Sequence, residues 1–293
     1  MKNNHLNALL ITVVGVLLIS LEALFIKLTN IEALTFAFYS GIFMFISTSC
    51  ILLYTHKDKI KVSKHKINLS IILLCGFLLG ISNIAFISAI KNTSVANTVL
   101  IFSSAPIFSA FYMYLFFKEK STKNIYIASF FIIIGLLVIF SSQLGQGQNE
   151  GNIYATIAIA VFSLVFVILS RYKNINILAI ISFSSIVTMI ISFIFLKDIS
   201  INLDNLYILL LAGLLTSPLS RVLMGIGTKT LPASEVSLLM IIETIMAPVW
   251  VWLFLNEIPT NTTLIGGSII LITLILNSLY VLKINKSKNI SNI

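Results

Sequence analysis

A chain that offers ten apolar runs, each close to the length needed to cross a bilayer, has few ways to fold. The runs occupy residues 6–28, 33–54, 67–90, 94–117, 124–142, 152–171, 175–196, 205–228, 233–255 and 262–282, with mostly short polar breaks between them. A spanning helix needs roughly 20 predominantly apolar residues. Within lipid a backbone has to satisfy its own polar groups, and runs of this length do so as α-helices. Composition agrees, with 58% hydrophobic and 10% charged residues and a mean hydropathy of +1.05. The expected class is an all-α polytopic membrane protein with ten transmembrane helices. The first run is too long for the apolar core of a signal peptide and lacks a cleavage-type ending, so it reads as a retained span.

The net charge of +9 raises the question of nucleic acid, and the placement of the cations answers it. With the N-terminus in the cytoplasm, fifteen Lys and Arg fall in inside segments, three (Lys27, Lys91, Lys197) fall outside, and Arg221 lies within a span. Cytoplasmic loops carry such an excess as a topology signal. Both termini are therefore expected in the cytoplasm, with the lipid bilayer and not nucleic acid as the large partner. Cys50 and Cys75 lie in apolar runs with no CxxC or His neighbour, so they read as small buried thiols.

Residues 238–257, LLMIIETIMAPVWVWLFLNE, have an echo 138 positions earlier in LIFSSAPIFSAFYMYLFFKE, residues 100–119. Glu257 falls on Glu119, Trp250 and Trp252 fall on Tyr112 and Tyr114, and outside the stretch Lys229 falls on Lys91. This reads as an internal duplication. The halves are residues 1–142 and 152–293, joined by a Gly- and Gln-rich linker over 143–151. Five spans per half is an odd number, so the two copies start from opposite sides of the membrane. Inverted repeats of this kind are the architecture of many secondary transporters, with the substrate held near the midplane between the halves.

Ionisable groups inside spans are expensive, about 2.5–3.5 kcal/mol each at the centre on insertion scales. Four stand out: Glu22 in the first helix, Arg221 in the eighth, and Glu235 and Glu243 in the ninth. At the 138-residue offset, Asn83 matches Arg221 and Asn97 matches Glu235. These six form the candidate substrate-binding set. Arg221 and Glu243 are expected at comparable depth. One reading makes them a structural ion pair; the other has Arg221 hold a substrate carboxylate while a Glu holds an amine or a proton. Glu22 has a structural reading too, reaching toward the surface or Lys27, and Glu235 follows Pro232 in a helix-start pattern that suits a cap. Pro106, Pro218 and Pro248 interrupt the fourth, eighth and ninth helices as hinges or as packing kinks. Gly76 and Gly80, in GFLLG, suit close helix packing.

No catalytic set is visible. His5, His56 and His65 lie in a terminus and a loop, and no Walker, HExxH or GxGxxG pattern has a fitting context. Metal and cofactor are not expected. Without a phosphate-binding loop, pumping has to be secondary.

At this point the residues resemble a known family. Ala105-Pro106 in the fourth helix, Glu243 with Ala247-Pro248 in the ninth, and the glutamate closing each are similar to the EamA-type transporters of the drug/metabolite transporter superfamily. The resemblance covers nearly the whole chain. It implies export of a small metabolite or drug across a bacterial inner membrane, through a cavity between the halves. Interior acids outnumber the interior Arg, which tilts the expected substrate toward a zwitterion or a cation. A carboxyl between burial and a neighbouring cation also suits proton coupling. The competing classes are a non-transporting intramembrane scaffold or regulatory subunit, for which there is almost no soluble segment, and a membrane enzyme, for which the polar cluster is missing.

The topology is checked with tags at the two chain ends. Both are expected to be shielded from an impermeant reagent in intact cells and exposed on permeabilisation, and a tag reached at one end only refutes the odd-number duplication.

Overall fold

The computed structural model describes residues 2–55, 66–120, 122–141, 149–172, 175–231 and 233–291. They form α1 (Lys2–Leu28), α2 (Ala33–Thr55), α3 (Lys66–Asn92), α4 (Val95–Phe102), α5 (Ala105–Phe117), α6 (Lys123–Ser141), α7 (Asn149–Arg171), α8 (Ile177–Phe195), α9 (Leu203–Leu210), a π-helical turn (Leu211–Thr216), α10 (Ser217–Thr230), α11 (Ala233–Leu255) and α12 (Asn261–Ser291). Among the described residues nine segments are long and apolar enough to cross a bilayer, and Leu239–Leu255 is a shorter apolar stretch within α11. The protein is thus an all-α polytopic membrane protein. The fourth span is α4 with α5, and the eighth is α9, the π turn and α10. Most of the expected linker, residues 142–148, lies outside the described residues, and α7 begins at Asn149.

Proline chemistry accounts for both interrupted spans. Proline lacks an N–H and crowds the carbonyl four residues back. Pro106 therefore sits in the first turn of α5, after a break at Ser103-Ser104. The hydroxyls of these serines donate to the carbonyls of Val99 (3.1 Å) and Ile101 (2.6 Å). Pro218 sits in the first turn of α10, after the π turn. The carbonyl it frees, that of Leu214, accepts from the Ser47 hydroxyl of α2 at 3.0 Å. Pro248 is accommodated inside α11.

The halves interlock through exchanged partners. α1 packs on α10 and α11, while α7 packs on α3 and on α4 with α5. α2 packs on α8, and α6 on α12. A pseudo-two-fold that swaps the halves maps each of these pairs onto another or onto itself. The backbone carries the same signature. Among the described residues the non-glycine positions with positive φ are Lys118 and Asn256, both at 55° and 138 residues apart.

Packing differs between the two ends of the bundle. At the Lys27 end one buried cluster joins α1, α2, α3, α4, α9 and α11 through Ile26, Phe36, Ile90, Val99, Leu209 and Val251. Two smaller clusters lie beside it, around Ala155 and around Ile139, and among the described residues two more lie toward the other end. One cluster joins α1 and α11 through Ala8, Val16 and Leu239, and another joins α3, α7 and α8 through Ile71, Val165 and Ile180. α4 has seven buried residues, Val95 to Ile101, whereas α5 has none.

Small residues set the closest approaches. Gly76 and Gly80 of α3 face α8, where an added Cβ meets Phe183 at 2.6 Å and Val187 at 2.7 Å, as the GFLLG pattern suggests. Cys75 is buried, but Cys50 is exposed on α2. In the loop after α8, Thr35 donates to the Asp198 carbonyl at 2.9 Å. The Ser200 hydroxyl and N–H hold the Asp198 carboxyl below the usual carboxylate range.

The tightest glycine crossing, α6 on α12, yields a stability test. A Cβ on Gly266 stands 2.5 Å from the Gly135 carbonyl oxygen, while one on Gly267 meets the tip of Leu100 at 2.9 Å. Backbone cannot yield as a side-chain end does. Gly266→Ala is expected to destabilise by about 1–3 kcal/mol, the range for overpacking, and Gly267→Ala by less; melting of both purified variants checks the order.

Candidate functional site

Three of the expected residues come together inside the bundle. Arg221 on α10 pairs with Glu22 on α1, Nη2 to Oε2 at 3.8 Å, and each side chain is 24% exposed. Its other nitrogen donates to the Ser217 carbonyl at 3.1 Å, one turn back. Glu243 on α11 lies within electrostatic reach of both Arg221 and Glu22 and is half-buried. A guanidinium is thus placed among two carboxylates drawn from three helices and both halves. The ion-pair partner is Glu22, not the expected Glu243.

Register explains that choice. A Cβ on Gly15 meets the Leu223 and Met224 atoms at 3.1 Å, which fixes α1 against α10. Glu22 is then about 10 Å above Gly15, and Arg221 about 3 Å above Leu223. Side chains lean toward the N-terminus of their helix. α1 and α10 run oppositely, so the two side chains lean toward each other across the gap.

The remaining expected residues lie elsewhere. Asn83 is half-buried on α3 and makes no side-chain hydrogen bond among the described residues. Asn97 is buried near the start of α4 and accepts from the Thr263 hydroxyl at 2.9 Å, which ties α4 to α12. It also donates to Thr93 at 3.4 Å and belongs to the Lys27 mouth, not to the Arg221 cluster. Glu235 falls in the first turn of α11, and its side chain lies outside the described residues.

Each mouth carries an ion pair that was not anticipated. At one, Glu257 pairs with Lys27 at 3.3 Å and accepts the Val95 N–H at 2.9 Å, at the N-terminus of α4. Lys91 donates beside it to the Thr29 carbonyl at 2.5 Å and to its hydroxyl at 3.0 Å. An open depression of about 320 Å³ lies over these groups. At the other mouth Glu119 pairs with Arg171 at 2.5 Å, and the Arg171 guanidinium lies 4.5 Å from the centre of the Phe117 ring. The matched glutamates were the available signal. Their cations stand on other helices, which the 138-residue offset alone does not identify.

Among the described residues, nine apolar spans and the shorter apolar stretch of α11, packed in exchanged pairs with a charged cluster between the halves, define a polytopic membrane protein of the inverted-repeat type. Residues 6–141 and 149–279 each match the EamA-like transporter family, so the chain belongs to that family and is a membrane transporter. It is 28% identical over 222 residues to a Bacillus subtilis (strain 168) protein named "Uncharacterized transporter YdfC", covering 72% of each chain. A crystal structure of a protein superposes with a TM-score of 0.65 over 94% of this chain and 98% of the other, at 14% identity, a likeness of fold.

The Arg221 pairing is open to a double-mutant cycle. Glu22→Gln, Arg221→Gln and the double variant are expected to give a coupling between the ~1 kcal/mol of an exposed pair and the ~3 kcal/mol of a buried one. Additive losses of stability rule the pair out.

Proposed function

We propose that the protein exports a small polar metabolite, zwitterionic or cationic, across a bacterial inner membrane by alternating access. The observation that carries this reading is the Arg221 cluster: two carboxylates and one guanidinium well inside their spans. Such groups in a membrane interior mark substrate or ion pathways. With one cation against two acids, the cluster has an electrostatic vacancy for a positive group. A ligand amine takes the place beside Glu22 and Glu243, and a ligand carboxylate competes for Arg221.

The same arithmetic supports proton exchange. When no amine is present, a proton on Glu243 removes the excess negative charge, and an arriving amine displaces it. Glu243 is the better carrier, since Glu22 is already committed to Arg221 at 3.8 Å. Asn83 and the Glu235 position extend the proposed lining, while Asn97 supports the mouth. Pro106, Pro218 and Pro248 mark where the fourth, eighth and ninth spans bend as the halves rock. The charge bias of the loops orients the chain with both termini, and the Glu119 mouth, in the cytoplasm.

Metabolite profiling of cells with and without the protein is expected to reveal a medium solute carrying an amino or other cationic group. With that solute, Glu243→Gln should transport without the pH dependence of the parent. Normal transport with an unchanged pH profile removes Glu243 as the proton carrier, and a purely anionic solute overturns the charge argument.

A further inference from the structure

The same backbone turn closes the fourth span and the ninth. Lys118 and Asn256 adopt φ of 55°, and each is followed by a glutamate, Glu119 or Glu257. Each glutamate pairs with a cation at the end of the first helix of a half, Arg171 at the end of α7 or Lys27 near the end of α1. Glu257 also holds a helix N-terminus. Its other oxygen takes the Val95 N–H, an orphan donor at the N-terminus of α4. The 138-residue shift that carries Glu119 to Glu257 carries Val95 to Ala233, the first residue of α11.

The two mouths also differ in packing. Where Glu257 caps α4, six helices share one buried cluster, and seven residues of α4 are buried. Where Glu119 stands, α5 has no buried residue, and the Glu119 side chain is 52% exposed against 28% for Glu257. The Lys27 mouth is thus latched, and at the Glu119 mouth the glutamate and α5 are the more exposed.

We propose that Glu257 and Glu119 are the two latches of alternating access. Glu257 holds the Lys27 mouth shut by joining α4 to α1. Glu119 does the same at the opposite mouth, joining the start of α11 to α7, when the cleft reverses. This rests on the transport reading above, and it assigns residues that reading does not need. The left-handed turn before each glutamate aims its carboxylate across the mouth. The paired cation keeps that carboxylate in place during the half-cycle in which the helix N-terminus has moved away. The charge-assisted bond to the N-terminus is then the part that is made and broken.

The test needs no substrate. Ala96 is 5% exposed, beneath Glu257, so a cysteine there is reached only when the Lys27 mouth opens. Ala96→Cys is made together with Cys50→Ser, with buried Cys75 retained, and the purified protein is labelled with a soluble maleimide in detergent. Glu257→Gln is expected to raise the labelling rate about tenfold, as loss of one charge-assisted hydrogen bond implies. Adding Glu119→Gln should bring the rate back toward the parent value, because the opposite state has lost its own latch. A merely loosened fold gives further exposure in the double variant and overturns the proposal, as does a Glu257→Gln rate equal to that of the parent. Either result leaves the transport assay free to succeed, and failed transport leaves the labelling readable.

Discussion

Arg221 has to be neutralised inside the bundle, and most of the arrangement follows from how that is done. A guanidinium does not shed its proton in a protein, so it cannot escape the low-dielectric interior by becoming neutral. It needs a carboxylate from another helix and a carbonyl from its own. Glu22 of α1 and Ser217 of α10 supply them. The pair therefore joins the first helix of one half to the third helix of the other. The π turn is what lets Arg221 reach that partner. One extra residue in a turn rotates the helix beyond it by roughly 100°. Leu211–Thr216 wound as an α-helix would turn the face of α10 that carries Arg221 by about that angle. Pro218 and Ser47 hold the turn in place, since the carbonyl released by the proline is taken up by the hydroxyl on α2.

The duplication has kept backbone more faithfully than side chains. Lys118 and Asn256 share neither charge nor shape, yet both hold the left-handed turn, which costs a non-glycine residue about 1–2 kcal/mol. Asparagine accepts that conformation more readily than lysine. What the two positions have in common is the glutamate that follows and the cation that receives it. The conserved quantity across the two halves is thus a direction in space, the line from a helix C-terminus across a mouth, and the chain bears the same strain twice to preserve it.

The parts of this structure that were legible in the sequence are those set by one helix at a time. Span positions follow from hydropathy, the break before α5 from Pro106, and the close face of α3 from Gly76 and Gly80. The parts that were not legible depend on how two helices slide past one another. Arg221 chooses Glu22 over Glu243 because of the register fixed at Gly15, a contact between residues more than 200 positions apart. Lys27 and Arg171 look like ordinary helix-end cations until the interlock brings a glutamate from another helix to each. The π turn leaves no pattern in an apolar run, because Leu-Ala-Gly-Leu-Leu-Thr suits an α-helix equally well. Exposure of Cys50 was likewise hidden, since an apolar residue in a span says nothing about which face meets a neighbour.

The central charges are the place where the two halves had to diverge. A duplication preserved to the last residue would double the interior charge, with a second arginine at position 83 and a second glutamate at position 105. Each ionisable group inside a span costs about 2.5–3.5 kcal/mol at the centre on insertion scales. Asn83 avoids the first cost while keeping a polar group that both donates and accepts, and Ala105 avoids the second by giving up the acid. The latches escaped this pressure because Glu119 and Glu257 lie at opposite faces of the membrane, each with its own cation. Symmetry therefore survives at the mouths, where each glutamate has its cation, and is lost among the interior charges. An asymmetric centre is also what a small asymmetric ligand requires, since a carboxylate and an amine on one molecule need one cation and one acid placed side by side, not two of each.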